Sequence, residues 1–145
     1  MTDSLQNLTY AAFLALYEPL AAGLTDPVFH EDAVTERLWQ IAVRLGENAK
    51  RFNLTAITEP YAVAEKHIVD SLLPLAILQK RGVLDGRMHY SGEPVTLCDI
   101  GAGAGFPSLP MAAVLAQSGG RVLAIDATAK KVRYIAETAA ALGLS

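Results

Sequence analysis

Residues 95–107, Val-Thr-Leu-Cys-Asp-Ile-Gly-Ala-Gly-Ala-Gly-Phe-Pro, constrain this chain more than any other stretch. An apolar run with β-branched residues leads into an acid, Asp99, and three alternating glycines follow at Gly101, Gly103 and Gly105. The run suits a buried parallel strand. Glycine alone takes positive φ without steric cost and leaves space where a Cβ would collide with a neighbour. The backbone here must therefore turn sharply and come close to something. Pro107 fits the first turn of a helix, where its missing N–H costs nothing. Ser108 to Gln117 continue as that helix, with Leu109, Ala112, Ala113 and Ala116 at helical spacing and Gly119-Gly120 as its stop.

Strand, glycine turn and helix in this order form the nucleotide-binding corner of a doubly wound α/β sheet. The dinucleotide fingerprint G-x-G-x-x-G requires glycine at its last position. Counted from Gly101 that position is Phe106, and counted from Gly103 it is Ser108, which weakens an NAD or FAD reading. The Gly-Lys-Ser/Thr of a phosphate P-loop is absent. The pattern Asp-x-Gly-x-Gly-x-Gly resembles instead the first motif of class I methyltransferases, whose glycine turn passes beneath the methionine part of S-adenosylmethionine. An acid at the strand end suits a cationic sulfonium and ammonium, where phosphates would be repelled. Arg121 to Ile125 form a second short strand ending at Asp126, 21 residues beyond Gly105. That is close to the ~20 expected of a carboxylate that bonds ribose hydroxyls, against the plainer reading of a loop or cap acid. Thr128 caps a helix running to about Leu142, with Val132, Ile135, Ala136, Ala139 and Leu142 as its apolar face and Gly143 as its stop. By this resemblance the cofactor candidates are Asp99, Gly101, Gly103, Gly105, Phe106, Asp126 and Ala127.

Upstream, residues 1–93 read as a helical cap and 94–145 as the first βαβα portion of the sheet domain. Leu5 to about Leu20 is one weak helix. A stronger one runs from about Glu31 to Arg51, with Val34, Leu38, Ile41, Ala42, Leu45, Ala49 and Phe52 at spacings of three and four. A third opens at Thr58-Glu59-Pro60, with Thr58 as cap, carries Val63, His67, Ile68, Ser71 and Leu72 on adjoining positions, and is interrupted or kinked by Pro74. Residues 82–94, with three glycines, read as a linker.

The single cysteine, Cys98, cannot form an internal disulfide and falls in the expected buried strand, which suits a reducing cytoplasm. No apolar run reaches the ~18 residues of a membrane span, the acidic start Met1 to Ser4 is no targeting signal, and no metal-ligand spacing is present. The net charge of −3 is unevenly distributed: residues 1–36 hold six acids and no Lys or Arg, and the remainder holds twelve basic and nine acidic groups. Lys50, Arg51, Lys130, Lys131 and Arg133 are the basic candidates for RNA contact, against the plainer reading of solvated helix faces.

Three blocks carry a narrower resemblance: Asn53-Leu54-Thr55-Ala56-Ile57, Lys66-His67-Ile68-Val69-Asp70-Ser71-Leu72, and Asp99 to Pro107. In this order and spacing they resemble the bacterial 16S ribosomal RNA guanine-N7 methyltransferases, the glucose-inhibited division protein B family, over roughly residues 30–145. The resemblance implies a class I, Rossmann-like α/β fold, S-adenosylmethionine as cofactor, and a guanine in the 530 loop of 16S rRNA, within the 30S subunit, as target. Guanine N7 is itself a lone-pair nucleophile, so catalysis would be mainly positioning. Asn53, His67, Asp70 and Ser71 fall at the active-site rim or the rRNA side. Each has a plainer alternative: Asn53 as a helix stop, His67 as a satisfied buried histidine, Asp70 as an i, i+4 partner of Lys66, and Phe106 as ordinary core. The family builds a larger sheet than this sequence holds. The chain is therefore expected to be a C-terminally truncated form, with an open edge on the 95–100 strand, weak or inactive alone, or completed by a second chain. A non-catalytic binding module of the same fold, or a methyltransferase of small molecules, are the competing readings.

Overall fold

A computed structural model describes residues 4–144. Residues 1–3 and 145, on which the readings of both chain ends fall, lie outside the described residues. The expected first helix is divided. A 3-10 turn at Leu5–Asn7 is followed by α1 (Tyr10–Leu20), because the Thr9 hydroxyl accepts from the Ala12 N–H at 3.1 Å and starts a new helix there. A 3-10 turn at Pro27–His30 leads to α2 (Asp32–Phe52), which buries Val34, Leu38, Ile41, Ala42, Leu45 and Ala49 on the expected face. Asn53 ends α2 in the left-handed region, at φ 52° and ψ 48°.

The other face of α2 receives the N-terminal segment. Trp39 Nε1 donates to the Leu8 carbonyl at 2.7 Å, and the Tyr10 and Thr35 hydroxyls share a hydrogen bond of 2.7 Å. At Gly46 the 3-10 turn comes so close that a Cβ would stand 2.6 Å from the Gln6 backbone nitrogen.

The third helical run begins with α3 (Pro60–Val63), passes through a π-helical segment (Ala64–Val69) and continues as α4 (Asp70–Lys80). Glu59, not Thr58, is its cap: the carboxylate accepts from the N–H groups of Tyr61 and Ala62 at 2.9 and 2.8 Å. Pro74 lies inside α4 and does not end it, and the irregularity of the run sits one turn earlier, in the π-helical segment.

Residues 82–94 are not a plain linker. β1 (His89–Tyr90) and β2 (Glu93–Pro94) pair antiparallel across Ser91 and Gly92, both at positive φ, and Leu84 and Met88 are buried beneath them. His89 Nε2 lies 3.1 Å from the Ser118 carbonyl, tying this hairpin to the sheet domain.

β3 (Thr96–Ile100) pairs parallel with β4 (Arg121–Ile125), in register Thr96↔Arg121 through Ile100↔Ile125. Between them run α5 (Ser108–Leu115), buried along its whole length, and a 3-10 turn at Ala116–Ser118 closed by Gly119 in the left-handed region. Pro107 stands at the cap position of α5 rather than inside its first turn. The fold is thus α/β: the opening βαβα of a Rossmann-like class I methyltransferase sheet, behind a helical cap. Side chains from both parts, among them Phe13, Leu38, Leu72, Leu109, Val114 and Tyr134, join one hydrophobic core.

Two expectations fail here. β3 is not buried on both faces: Leu97, Asp99, Val122 and Ala124 face the helices, whereas Cys98, Ile100, Leu123 and Ile125 are exposed. Cys98 is therefore a surface thiol among the described residues, and β3 has no strand on its other edge among them. The buried face of α6 (Ala129–Ala141) is also rotated from the apolar count. Ile135 and Leu142 are buried as expected and Ala139 partly so, but Tyr134 and Thr138 are buried with them, while Val132 and Ala136 are exposed. Tyr134 packs its ring against Phe52, with centroids 6.0 Å apart, and Arg44 Nε donates to the Thr138 hydroxyl at 3.3 Å. Polar-tipped residues thus occupy a face that an apolar count leaves out. Among the described residues no helix is long and apolar enough to cross a membrane.

Gly46→Ala tests the close approach on α2. In an open helix this change gains up to ~1 kcal/mol. Here the turn at Leu5–Gln6 must move, and overpacking of this kind costs about 1–3 kcal/mol. We expect a net loss in urea unfolding, with Gly23→Ala, which meets nothing within 4 Å, as the neutral control. A Gly46→Ala chain more stable than wild type contradicts the packing.

Candidate functional site

The glycine turn is shaped by the end of β4. The Ile125 carbonyl accepts from both the Gly101 and Ala102 N–H groups, at 2.7 and 2.9 Å. The next N–H, that of Gly103, donates to Asp126 Oδ2 at 2.9 Å, and the other oxygen of that carboxylate accepts from the Thr128 N–H at 2.8 Å. These backbone bonds hold the Asp126 carboxyl below its usual range, Thr128 contributing most. Thr128 stands at the N-cap of α6 without a side-chain cap bond, and Asp126 holds the Thr128 N–H just before the helix begins.

The three glycines have distinct reasons. All lie at positive φ, 83°, 56° and 91° in order. At Gly105 a Cβ would strike Leu109 Cδ1 at 2.5 Å, so this position is set by packing against α5. At Gly101 nothing lies within 4 Å of the missing Cβ, and at Gly103 only the Gly101 carbonyl oxygen does, at 3.9 Å. These two leave a bare backbone facing open space. Asp99 is half-buried beneath the turn and accepts a hydrogen bond from the Ser108 hydroxyl.

Facing the turn across a cleft of about 400 Å³ is the helical run. Gly101 to Ala104, Phe106 and Pro107 form one wall, and Lys66, His67, Asp70, Ser71 and Pro74 the other, with Leu54 and Thr55 closing one side. The π-helical segment holds Lys66 and His67, and Asp70 begins the α-helix after it. π-helical turns recur at functional sites. The His67 ring stacks on Phe106 with centroids 4.7 Å apart and planes 12° from parallel. His67 Nε2 lies 3.0 Å from the Thr55 hydroxyl oxygen, which also accepts from the Ile57 N–H at 3.0 Å. The Ser71 hydroxyl donates to the His67 carbonyl. Burial holds the His67 imidazole below its ordinary pKa of 6.5, against the raising influence of Asp70.

The cleft thus gathers His67, Asp70, Ser71, Gly101, Gly103 and Phe106 from the sequence candidates. Asn53 is exposed at the end of α2, outside the lining. Gly105, Asp99, Asp126 and the exposed Ala127 lie behind or beside the turn rather than on the wall. Asp70 is not paired with Lys66: the only ion pair among the described residues joins His30 and Glu18. The π-helical segment holding Lys66 ends just before Asp70, which disturbs the α-helical i, i+4 geometry such a pair uses. None of the basic candidates lines the cleft. Lys50 borders a separate groove with Gly46 and Glu59, the Arg51 guanidinium sits 4.9 Å over the Phe52 ring, and Lys130, Lys131 and Arg133 are on α6. Thr55 and Lys66 were not among the site candidates, although both stand inside the blocks that carry the resemblance, Lys66 entering only as an ion-pair partner for Asp70. The π-helical segment has no compositional signal by which it could have been found.

The family model described as GidB, rRNA small subunit methyltransferase G, matches residues 35–145. The chain belongs to this family. It is 37% identical over 128 residues to a ribosomal RNA small subunit methyltransferase G from Solibacter usitatus, covering 88% of this chain and 54% of that protein. It is 40% identical over 133 residues to the one from an Anaeromyxobacter species, covering 92% and 54%, and 41% identical over 112 residues to the one from Streptococcus suis, covering 77% and 40%. The chain spans about half the length of the curated relatives it matches.

The lowered His67 pKa has a consequence for stability. The folded chain favours the neutral ring, so this contribution is complete above the unfolded value of 6.5 and is lost as pH falls through the folded one. We expect wild type to lose more stability than His67→Gln between about pH 7.5 and 5. Urea unfolding at both values checks this, and equal losses would show that the ring is not held neutral.

Proposed function

We propose that this chain binds S-adenosylmethionine along its glycine turn and directs methyl transfer to N7 of a guanine in the 530 loop of 16S rRNA, on the 30S subunit in the cytoplasm. The observation that carries this reading is the cleft itself, which draws three separated sequence blocks onto two facing walls in a chain of this family. The bare backbone at Gly101 and Gly103 fits the cofactor, since a Cβ there would fill the open space beside the turn. Asp99, Gly105 and Ala127 would shape that seat. Phe106 adds an apolar contact, and Asp126 would offer its remaining lone pairs to ribose hydroxyls. When bound, the cofactor supplies an electrophilic methyl group on a sulfonium. N7 would take the methyl through its lone pair as the methyl–sulfur bond breaks and leaves a neutral thioether, so the protein's task would be to hold and orient the base. His67, held by Thr55 and Phe106, would stiffen the helical wall for that purpose.

Residues 1–93 would act as a cap carrying the helical wall, and 94–145 as the cofactor part. Lys66 at the cleft, with Lys50, Arg51, Lys130, Lys131, Arg133 and the rim residue Asn53, would meet rRNA phosphates and bases. Binding would then weaken with added salt. The edge of β3 left unpaired among the described residues, with the exposed face of Ile100, Leu123 and Ile125, favours a second reading, in which another chain completes and covers the sheet and this one alone binds without transferring.

Calorimetric titration of S-adenosylmethionine tests the first step. We expect saturable binding by wild type and a loss of at least about tenfold, ~1.4 kcal/mol, in Gly103→Val. Gly103→Ala should fall between them if the space beside the turn is the seat. No binding by wild type, or equal binding by all three, rejects the seat. Methyl transfer to 30S subunits lacking the modification separates the transferring reading from the binding-only one.

A further inference from the structure

We infer that Asp70 reads the Watson–Crick edge of the target guanine and is the residue that makes the cleft select that base. This rests on the guanine reading proposed above. On the helical wall Lys66 is exposed and can only donate hydrogen bonds, and the other polar groups besides Asp70 are committed. His67 Nε2 is beside Thr55 and its ring is against Phe106, while the Ser71 hydroxyl is bonded to the His67 carbonyl. Asp70 is exposed, lines the cleft, and has neither a hydrogen-bond partner nor an ion pair among the described residues. It faces the glycine turn from the opposite wall.

A carboxylate only accepts hydrogen bonds, through two oxygens side by side. Guanine carries two adjacent donors on one edge, N1–H and the N2 amino group. Adenine has an acceptor at N1 and no amino group at C2, so it cannot make this paired contact. The N7 and O6 acceptors lie on the major-groove edge, away from the N2 amino group. Gripping the N1/N2 edge from the helical wall therefore turns N7 toward the glycine turn. Asp70 cannot serve N7 itself, because a carboxylate and a lone pair repel. The contact also favours reaction over mere binding. As N7 takes the methyl group the ring gains positive charge and N1–H becomes a stronger donor, so the bond to Asp70 tightens on the way to product.

The test compares two otherwise identical RNA hairpins with one unpaired guanine, or inosine in its place, in binding to this chain. Inosine keeps N7, O6 and N1–H but lacks the N2 amino group. We expect wild type to prefer the guanine hairpin by about fivefold or more. Asp70→Asn and Asp70→Ala should both bring the ratio near one while S-adenosylmethionine affinity and urea stability stay unchanged. Binding of both hairpins without preference, or a ratio kept in the variants, overturns the assignment alone. Loss of cofactor affinity in the variants with the ratio intact overturns it in favour of a cofactor contact. Binding of neither hairpin by wild type overturns the rRNA reading and, with it, this assignment.

Discussion

Three consecutive N–H groups of the glycine turn, those of Gly101, Ala102 and Gly103, donate to acceptors at the end of a different strand. The turn is therefore not a local motif that folds by itself. It takes its shape only when β4 lies in register beside β3, Ile100 opposite Ile125, so that the Ile125 carbonyl and the Asp126 carboxylate arrive together. α5 enforces that register from within. It is buried from Ser108 to Leu115, and its Leu109 side chain lies where a Cβ on Gly105 would have to go. Sheet pairing, helix packing and turn geometry thus support one another, and a defect in any of them would reach the cleft.

The opposite wall depends on a different device. A regular helix through residues 60–80 would fix the relative directions of Lys66, His67 and Asp70. The π-helical segment shifts them, and His67 then meets both Thr55 from the loop after α2 and Phe106 from the turn. The Thr55–His67–Phe106 contacts join the cap to the sheet domain at the cleft itself. Burial of Leu72, Leu75 and Ile68 against the shared core keeps the wall from moving away, since an interior packed at crystal-like density yields little.

What the sequence made legible follows the physics of each signal. α2 could be read nearly residue by residue, because a long amphipathic period leaves few alternatives. The glycine turn and Asp126 could be read because positive φ and fixed strand-to-strand spacing leave a mark in composition. The buried face of α6 could not, since Tyr134 and Thr138 bury rings and methyl groups while counting as polar. Cys98 and Ile100 misled for the opposite reason. They belong to a strand patterned for two covered faces, and the helices described here cover one. The Glu59 cap lost to Thr58 on propensity, although a longer acidic side chain reaches two N–H groups at once. The His67 site was visible as residue types and invisible as geometry, because the contacts that define it join residues twelve and thirty-nine positions away.

Asp126 shows how one residue can satisfy both a structural reading and a ligand reading. Each carboxylate oxygen accepts one backbone N–H, and each retains a further lone pair. The same backbone bonds lower its pKa and so favour the ionised carboxylate that the turn uses as an acceptor. A ribose hydroxyl at the free lone pairs would then meet an acceptor already fixed in place by the turn it helps to build. The same carboxylate that orders Gly103 would orient the sugar, and the open space at Gly101 and Gly103 would lie beside it. Spacing from the glycines to this acid is then a property of the β3–α5–β4 unit itself: α5 must be long enough to bring β4 back in register, and the acid must follow the last residue that pairs.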